Sequence, residues 1–185
     1  MAAEIQKDMN QKMEKTIRVL KDELHSIRAG RANPVLLDQI TVEYYGSSTP
    51  LKQLAAISVP EPRLLQIQPY DTTVLSDIEK AINMSDLGLN PQNDGKVIRL
   101  SIPMLTEERR KELTKAVKKT GEDAKVALRN ERREANEKFK KMNKAKEITD
   151  DDLKAYEDDV QKATDKFVKM VDELVAQKEA EVMEV

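Results

Sequence analysis

The chain has 185 residues, enough for one large domain or two small ones. Its 32 Lys and Arg nearly cancel its 34 Asp and Glu, and a net charge of -2 gives, taken whole, no reason to expect nucleic acid. No Cys is present, which excludes a disulfide framework, a thiolate nucleophile and a Cys-based zinc site, and the lone His25 excludes any site needing two imidazoles.

The N-terminal stretch MAAEIQKDMNQKMEKTI lacks the apolar core of a secretory signal. Its Glu4, Asp8 and Glu14 argue against an organellar transit peptide. No run approaches the roughly 18 apolar residues of a membrane span. The expectation is a soluble cytoplasmic protein. Charged residues are 36% and aromatics 3%, a composition of long solvated helices rather than of an aromatic core.

Residues 3–28 place Ile5, Met9, Met13, Ile17, Leu20, Leu24 and Ile27 at steps of three and four, one stripe of a helix. His25, beside Leu24 and Ile27, reads as a partly exposed helix residue rather than a general base. Residues 31–104 change character. Gly, Pro, Asn and Ser rise, and the apolar period falls toward two. QITVEYY (39–45) alternates Ile40, Val42 and Tyr44 against Thr41, Glu43 and Tyr45. LAAISV (54–59), RLLQIQ (63–68) and KVIRLSI (96–102) are further strands, and a helix near 74–85 separates the last two. Gly46, Pro50, Pro60, Pro62 and NPQNDG (90–95) punctuate them.

Helical spacing returns over 107–146 with Leu113, Val117, Ala124, Leu128, Ala135, Phe139 and Met142. Thr106 is placed to cap this helix, with Glu107 and Glu108 in its first turn. Gly121 interrupts it at a cost of about 1 kcal/mol against Ala, consistent with a local bend or a close contact. The last stripe is Leu153, Tyr156, Val160, Ala163, Phe167, Met170 and Leu174, a heptad seam. Thr149 is its cap, Asp150, Asp151 and Asp152 fill the first turn, and Ile148 and Leu153 sit at the positions of a hydrophobic staple.

No helix of this length can bury its stripe alone, so the three form an elongated bundle. The fold class is α+β: a discontinuous antiparallel three-helix bundle, 1–29 plus 105–185, with a small β/α/β domain, 30–104, inserted between its first and second helices. The crossings lie at Gly30–Arg31 and at Pro103–Met104–Leu105. They are either a hinge or a fixed corner.

Charge is unevenly distributed. Residues 107–146 carry 15 Lys or Arg against 8 acids, and residues 148–185 carry 5 against 12. On the basic helix Lys118, Lys125, Arg129, Arg132, Arg133, Asn136 and Lys140 follow helical steps beside the apolar stripe. The density peaks at LRNERR (128–133), where guanidinium groups suit a phosphate-lined surface. The competing reading is a structural face paired with the acidic last helix. Aromatic residues do not interleave the basic ones, so any RNA contact is with backbone rather than with stacked bases.

No phosphate-binding glycine loop, nucleophile elbow or metal-binding motif is present. No cofactor and no catalytic residue is expected. Glu122, Glu134 and Glu137 lie near the basic face without the spacing of metal ligands, which leaves a nuclease with little support. A coiled-coil adaptor using the 150–174 seam is the remaining alternative.

Four motifs carry a resemblance: IRAGRANPVLLDQITVEYYGSSTPLKQLA (27–55), DLGLNPQNDGKVIRL (86–100), LTEERRKEL (105–113) and RNERREAN (129–136), with KEAEVMEV closing the chain. In this order they resemble ribosome recycling factors across essentially the whole length. The resemblance implies an L-shaped molecule, a monomer without a membrane partner. It implies binding to the post-termination ribosome, chiefly to large-subunit ribosomal RNA. Elongation factor G is the implied partner that hydrolyses GTP, and initiation factor three then keeps the subunits apart. By the same resemblance Arg110, Arg129, Arg132 and Arg133 are RNA contacts, Arg28 and Arg31 are a basic pair at the junction, and Gly30, Arg31, Pro103, Met104 and Leu105 form the hinge. Glu131 departs from the pattern, standing where many relatives carry an apolar residue. Pairing with Arg132 or Lys138 is its expected role.

Overall fold

The computed structural model describes residues 1–27 and 30–184. The chain divides into two compact units, Met1–Ala29 with Glu107–Val185, and Gly30–Thr106.

The first unit is three helices, α1 (Ala2–Ser26), α4 (Glu107–Lys144) and α5 (Asp150–Met183). At 1.5 Å per residue α4 spans about 57 Å. The cross-helix bonds fix the directions. Lys12 meets Glu134 while Thr16 meets Glu131, so α1 runs antiparallel to α4. Lys125 meets Asp172 while Arg132 meets Gln161, so α5 is antiparallel to α4 as well.

The core is the seam predicted from helical spacing. Met9, Met13, Ile17, Leu20 and Leu24 of α1 meet Val117, Ala124, Leu128, Ala135 and Phe139 of α4 and Val160, Phe167 and Val171 of α5. Phe139 stacks on Tyr156 with ring centroids 4.7 Å apart and planes 5° from parallel. The α5 seam is wider than its heptad reading. Thr164 is buried within it, donating its hydroxyl to the Val160 carbonyl, whereas Ala163, Met170 and Leu174 are only partly buried.

Gly121 is a close-contact glycine. A Cβ built there would lie 2.5 Å from Val175 Cγ2, so the missing side chain lets α5 approach α4. The start of α5 follows the sequence expectation. Thr149 Oγ1 accepts from the Asp152 amide, and the Asp152 carboxylate accepts from the Thr149 amide, closing a capping box. Ile148 and Leu153 both pack on the bundle core.

The second unit holds a hairpin, β1 (Thr41–Tyr44) with β2 (Ser47–Pro50), then the short helix α2 (Leu51–Leu54). Four antiparallel strands follow in the order β3-β4-β6-β5: β3 (Ala55–Glu61), β4 (Leu64–Pro69), β5 (Pro91–Asn93) and β6 (Ile98–Ser101). Helix α3 (Leu75–Asn83) lies between β4 and β5 in sequence and buries Leu75, Ile78 and Ile82. Leu65, Ile67, Ile98 and Leu100 supply the inner face of the sheet.

Ile40 and Val42 point inward and Thr41, Glu43 and Tyr45 outward, as the alternation requires. The strand ends at Tyr44 because Tyr45 and Gly46 both take positive φ, 47° and 76°, in the tight turn of the hairpin. Sequence reading misses β2 and β5. Ser-Ser-Thr-Pro carries no apolar alternation, and Pro91–Asn93 falls in a stretch whose composition reads as punctuation.

Candidate nucleic-acid interface

Helix α4 turns its apolar stripe into the bundle, which leaves its flanks to carry the charge. Arg129 and Arg133, four residues apart, are exposed and make no ion pair or hydrogen bond with the described residues. Lys118 and Lys140 are exposed on the same helix, equally unpaired. Each keeps its charge and its donors for an outside acceptor.

The two other cations of the predicted face lean on α5. Lys125 is largely covered and its Nζ lies 2.6 Å from Asp172 Oδ1, a bond that raises the ammonium pKa above its usual value. Arg132 is half-buried, and its Nη1 donates to Gln161 Oε1 at 3.1 Å. Gln161 in turn donates from Nε2 to Asp165 Oδ1 at 2.8 Å. Sequence reading misses both α5 residues, since a Gln and an Asp four apart on an acidic helix give no signal of what they face.

Asn136 is half-buried with its Oδ1 unpaired. Arg110, near the start of α4, is half-buried with its Nε unpaired. Arg31 is exposed and belongs to the second unit. Arg28 lies outside the described residues. At the other expected hinge positions, Gly30 takes φ 75°, and a Cβ on it would stand 2.9 Å from Leu105 Cγ. Pro103 and Met104 are exposed in the segment between β6 and α4.

Glu131 corrects an expectation. It pairs with neither Arg132 nor Lys138. Its place between Leu128 and Ala135 turns it toward α1, where Oε1 accepts from Thr16 Oγ1 at 2.7 Å and Oε2 is buried without a partner. Burial pushes the Glu131 carboxyl pKa up, with the Thr16 bond opposing. Lys138 is occupied elsewhere. With Lys12 it alternates around Asp8 and Glu134 in a four-membered ring of ion pairs joining α1 to α4. Glu134 is therefore spoken for, and Glu122 lies against Lys125. Among the described residues no group of three or more His, Cys, Asp or Glu is placed to hold a metal ion. No helix among them is long and apolar enough to cross a membrane.

This arrangement offers unpaired guanidinium groups on a rigid helix, the equipment for gripping phosphates without reading bases. The ribosome recycling factor profile matches residues 20–183. The chain belongs to the ribosome recycling factor family. Membership makes it a translation factor rather than an enzyme.

Among ribosome recycling factors, that of Alkaliphilus oremlandii is 67% identical over 185 residues, all of both chains. That of Clostridioides difficile is 59% identical over the same full length. A solution structure of a ribosome recycling factor, 41% identical, covers 100% of this chain and 98% of its own with a TM-score of 0.77. A second structure is 44% identical, covers 100% of both chains and has a TM-score of 0.65. It comes from models of the T. thermophilus ribosome recycling factor and the E. coli elongation factor G bound to the E. coli post-termination complex.

Proposed function

We propose that this chain binds the post-termination ribosome through large-subunit ribosomal RNA and, with elongation factor G and GTP, promotes subunit dissociation and release of mRNA and tRNA. The single observation that carries the reading is the exposed pair Arg129 and Arg133, without a partner among the described residues, beside Arg132 in a member of the recycling factor family. Arg110 extends this contact along α4, and Arg28 and Arg31 add to it at the junction. The protein works in the cytoplasm as a monomer, and elongation factor G hydrolyses the GTP.

Its action is mechanical. The bundle anchors on RNA backbone, and the inserted domain moves against it about Gly30–Arg31 and Pro103–Met104–Leu105. At this crossing position 30 is held to glycine by its φ of 75° and by Leu105 Cγ, 2.9 Å from where a Cβ would stand.

The test is light scattering of post-termination ribosomes mixed with this protein, elongation factor G and GTP, each omitted in turn. A fall in scattering that needs all three is expected, and no fall with ribosomes that respond to a known factor overturns the proposal. Arg132→Ala should weaken ribosome binding at least tenfold with helicity unchanged, since a charge-assisted contact is worth about 1.5–3 kcal/mol.

A further inference from the structure

Helix α5 is the acidic member of the bundle, yet it treats Lys125 and Arg132, the α4 cations that lean on it, differently. Lys125 meets a carboxylate directly, at 2.6 Å from Asp172. Arg132 meets a neutral amide. Gln161 Oε1 accepts from Arg132 Nη1 at 3.1 Å, and the nearby carboxylate, Asp165, is bonded to the other end of that amide at 2.8 Å. An amide can be turned either way, and Asp165 decides which: an acceptor-only carboxylate must face the NH2, so the carbonyl must face Arg132.

Resting on the RNA-binding reading above, we propose that Gln161 is a positioning residue for Arg132 and acts as a neutral spacer between that arginine and Asp165. The amide restrains a long side chain that otherwise samples many rotamers, so less entropy is lost when it grips a phosphate. It does so without cancelling the charge. A guanidinium has five N–H donors, and one bond to Gln161 leaves the others for phosphate oxygens. A carboxylate at position 161 would hold Arg132 equally well but would neutralise it and compete with the phosphate for the same fork.

The two possible roles of Gln161 therefore predict opposite rankings. A holding role alone makes Gln161→Glu harmless and Gln161→Leu the damaging change. A neutral spacer makes Gln161→Glu the worse of the two. The experiment measures affinity of the full chain for large ribosomal subunits at low and at physiological salt. Variants are Gln161→Leu, Gln161→Glu and Arg132→Ala, each Gln161 variant also combined with Arg132→Ala, with thermal unfolding as a control on folding.

The expected result is a loss of about threefold for Gln161→Leu and about tenfold for Gln161→Glu, the scale of losing restraint and of losing one charge-assisted bond. Both losses should vanish in the Arg132→Ala background. Full affinity in Gln161→Glu overturns the spacer, as does a loss that persists undiminished without Arg132. A chain in which Arg132→Ala itself binds normally would instead sink the RNA-binding reading. An intact Arg132 effect with silent Gln161 variants sinks only this inference.

Discussion

Glu131 occupies a place in the α4 stripe that its spacing assigns to an apolar side chain, and proton bookkeeping shows what that costs. Thr16 has one hydroxyl proton and two acceptors in reach, Glu131 Oε1 at 2.7 Å and the Lys12 carbonyl at 3.1 Å. When Glu131 is ionised it takes that proton, and its own Oε2 stays buried and unpaired. When Glu131 is protonated it donates to Thr16 Oγ1 and the hydroxyl turns to the Lys12 carbonyl, so the oxygen left unpaired belongs to a neutral group rather than an anion. The fold thus favours the neutral acid, and burial raises the pKa above its ordinary value. A carboxyl shifted upward lends its full stabilisation below its ordinary range, and this is lost as pH rises through the raised value. At pH 7 the bundle therefore bears the penalty.

Glu131→Gln keeps the shape, stays neutral and can donate its amide to Thr16. The amide carbonyl inherits the unpaired Oε2 place, so what the variant removes is a partly buried negative charge, and partial solvent access keeps the gain to about 1 kcal/mol. The variant should melt about 2–4 °C higher than the parent at pH 7, with the gap closing near pH 4, both followed by circular dichroism. A variant less stable at pH 7, or a gap that does not change with pH, refutes the account.

Gly121→Ala should be destabilised by about 1 kcal/mol despite its better helix propensity, because overpacking costs about 1–3 kcal/mol and propensity returns only about 1. Denaturant titrations in a Val175→Ala background, where the atom 2.5 Å from the new Cβ is gone, should show the substitution becoming neutral or stabilising. Thr149→Ala removes one half of the capping box and should cost about 1 kcal/mol in the same titration.

The bundle is legible in the sequence because its signal is local. A stripe such as Met9, Met13, Ile17 and Leu20 follows from 3.6 residues per turn whatever lies opposite. The Thr149 cap is legible for the same reason, as the amide it accepts from lies three residues on. What stays hidden depends on the neighbouring helix. Gly121 is ambiguous until Val175 is seen above it, and Arg132 or Lys138 is the natural partner for Glu131 until Thr16 on α1 is seen to face it. The same limit applies to the interface, where Lys125 and Arg129 look alike in sequence and only the packing of α5 separates a paired cation from an unpaired one.

That separation answers how a helix proposed to grip RNA is packed against an acidic one. Over whole helices the charges oppose each other, positive on 107–146 and negative on 148–185. A phosphate, however, responds mainly to charges within a Debye length, about 8 Å at physiological salt. Packed helix axes are already about 8–10 Å apart, so carboxylates on the far side of α5 are largely screened from the exposed side of α4. What matters is the composition of α5 beside the arginines. There Arg129 and Arg133 have no partner among the described residues, and Arg132 meets an amide rather than a carboxylate. The acidic helix therefore supplies direct countercharge to the largely covered Lys125, whereas Asp165 reaches Arg132 only through the Gln161 amide and leaves its guanidinium without a carboxylate partner on α5.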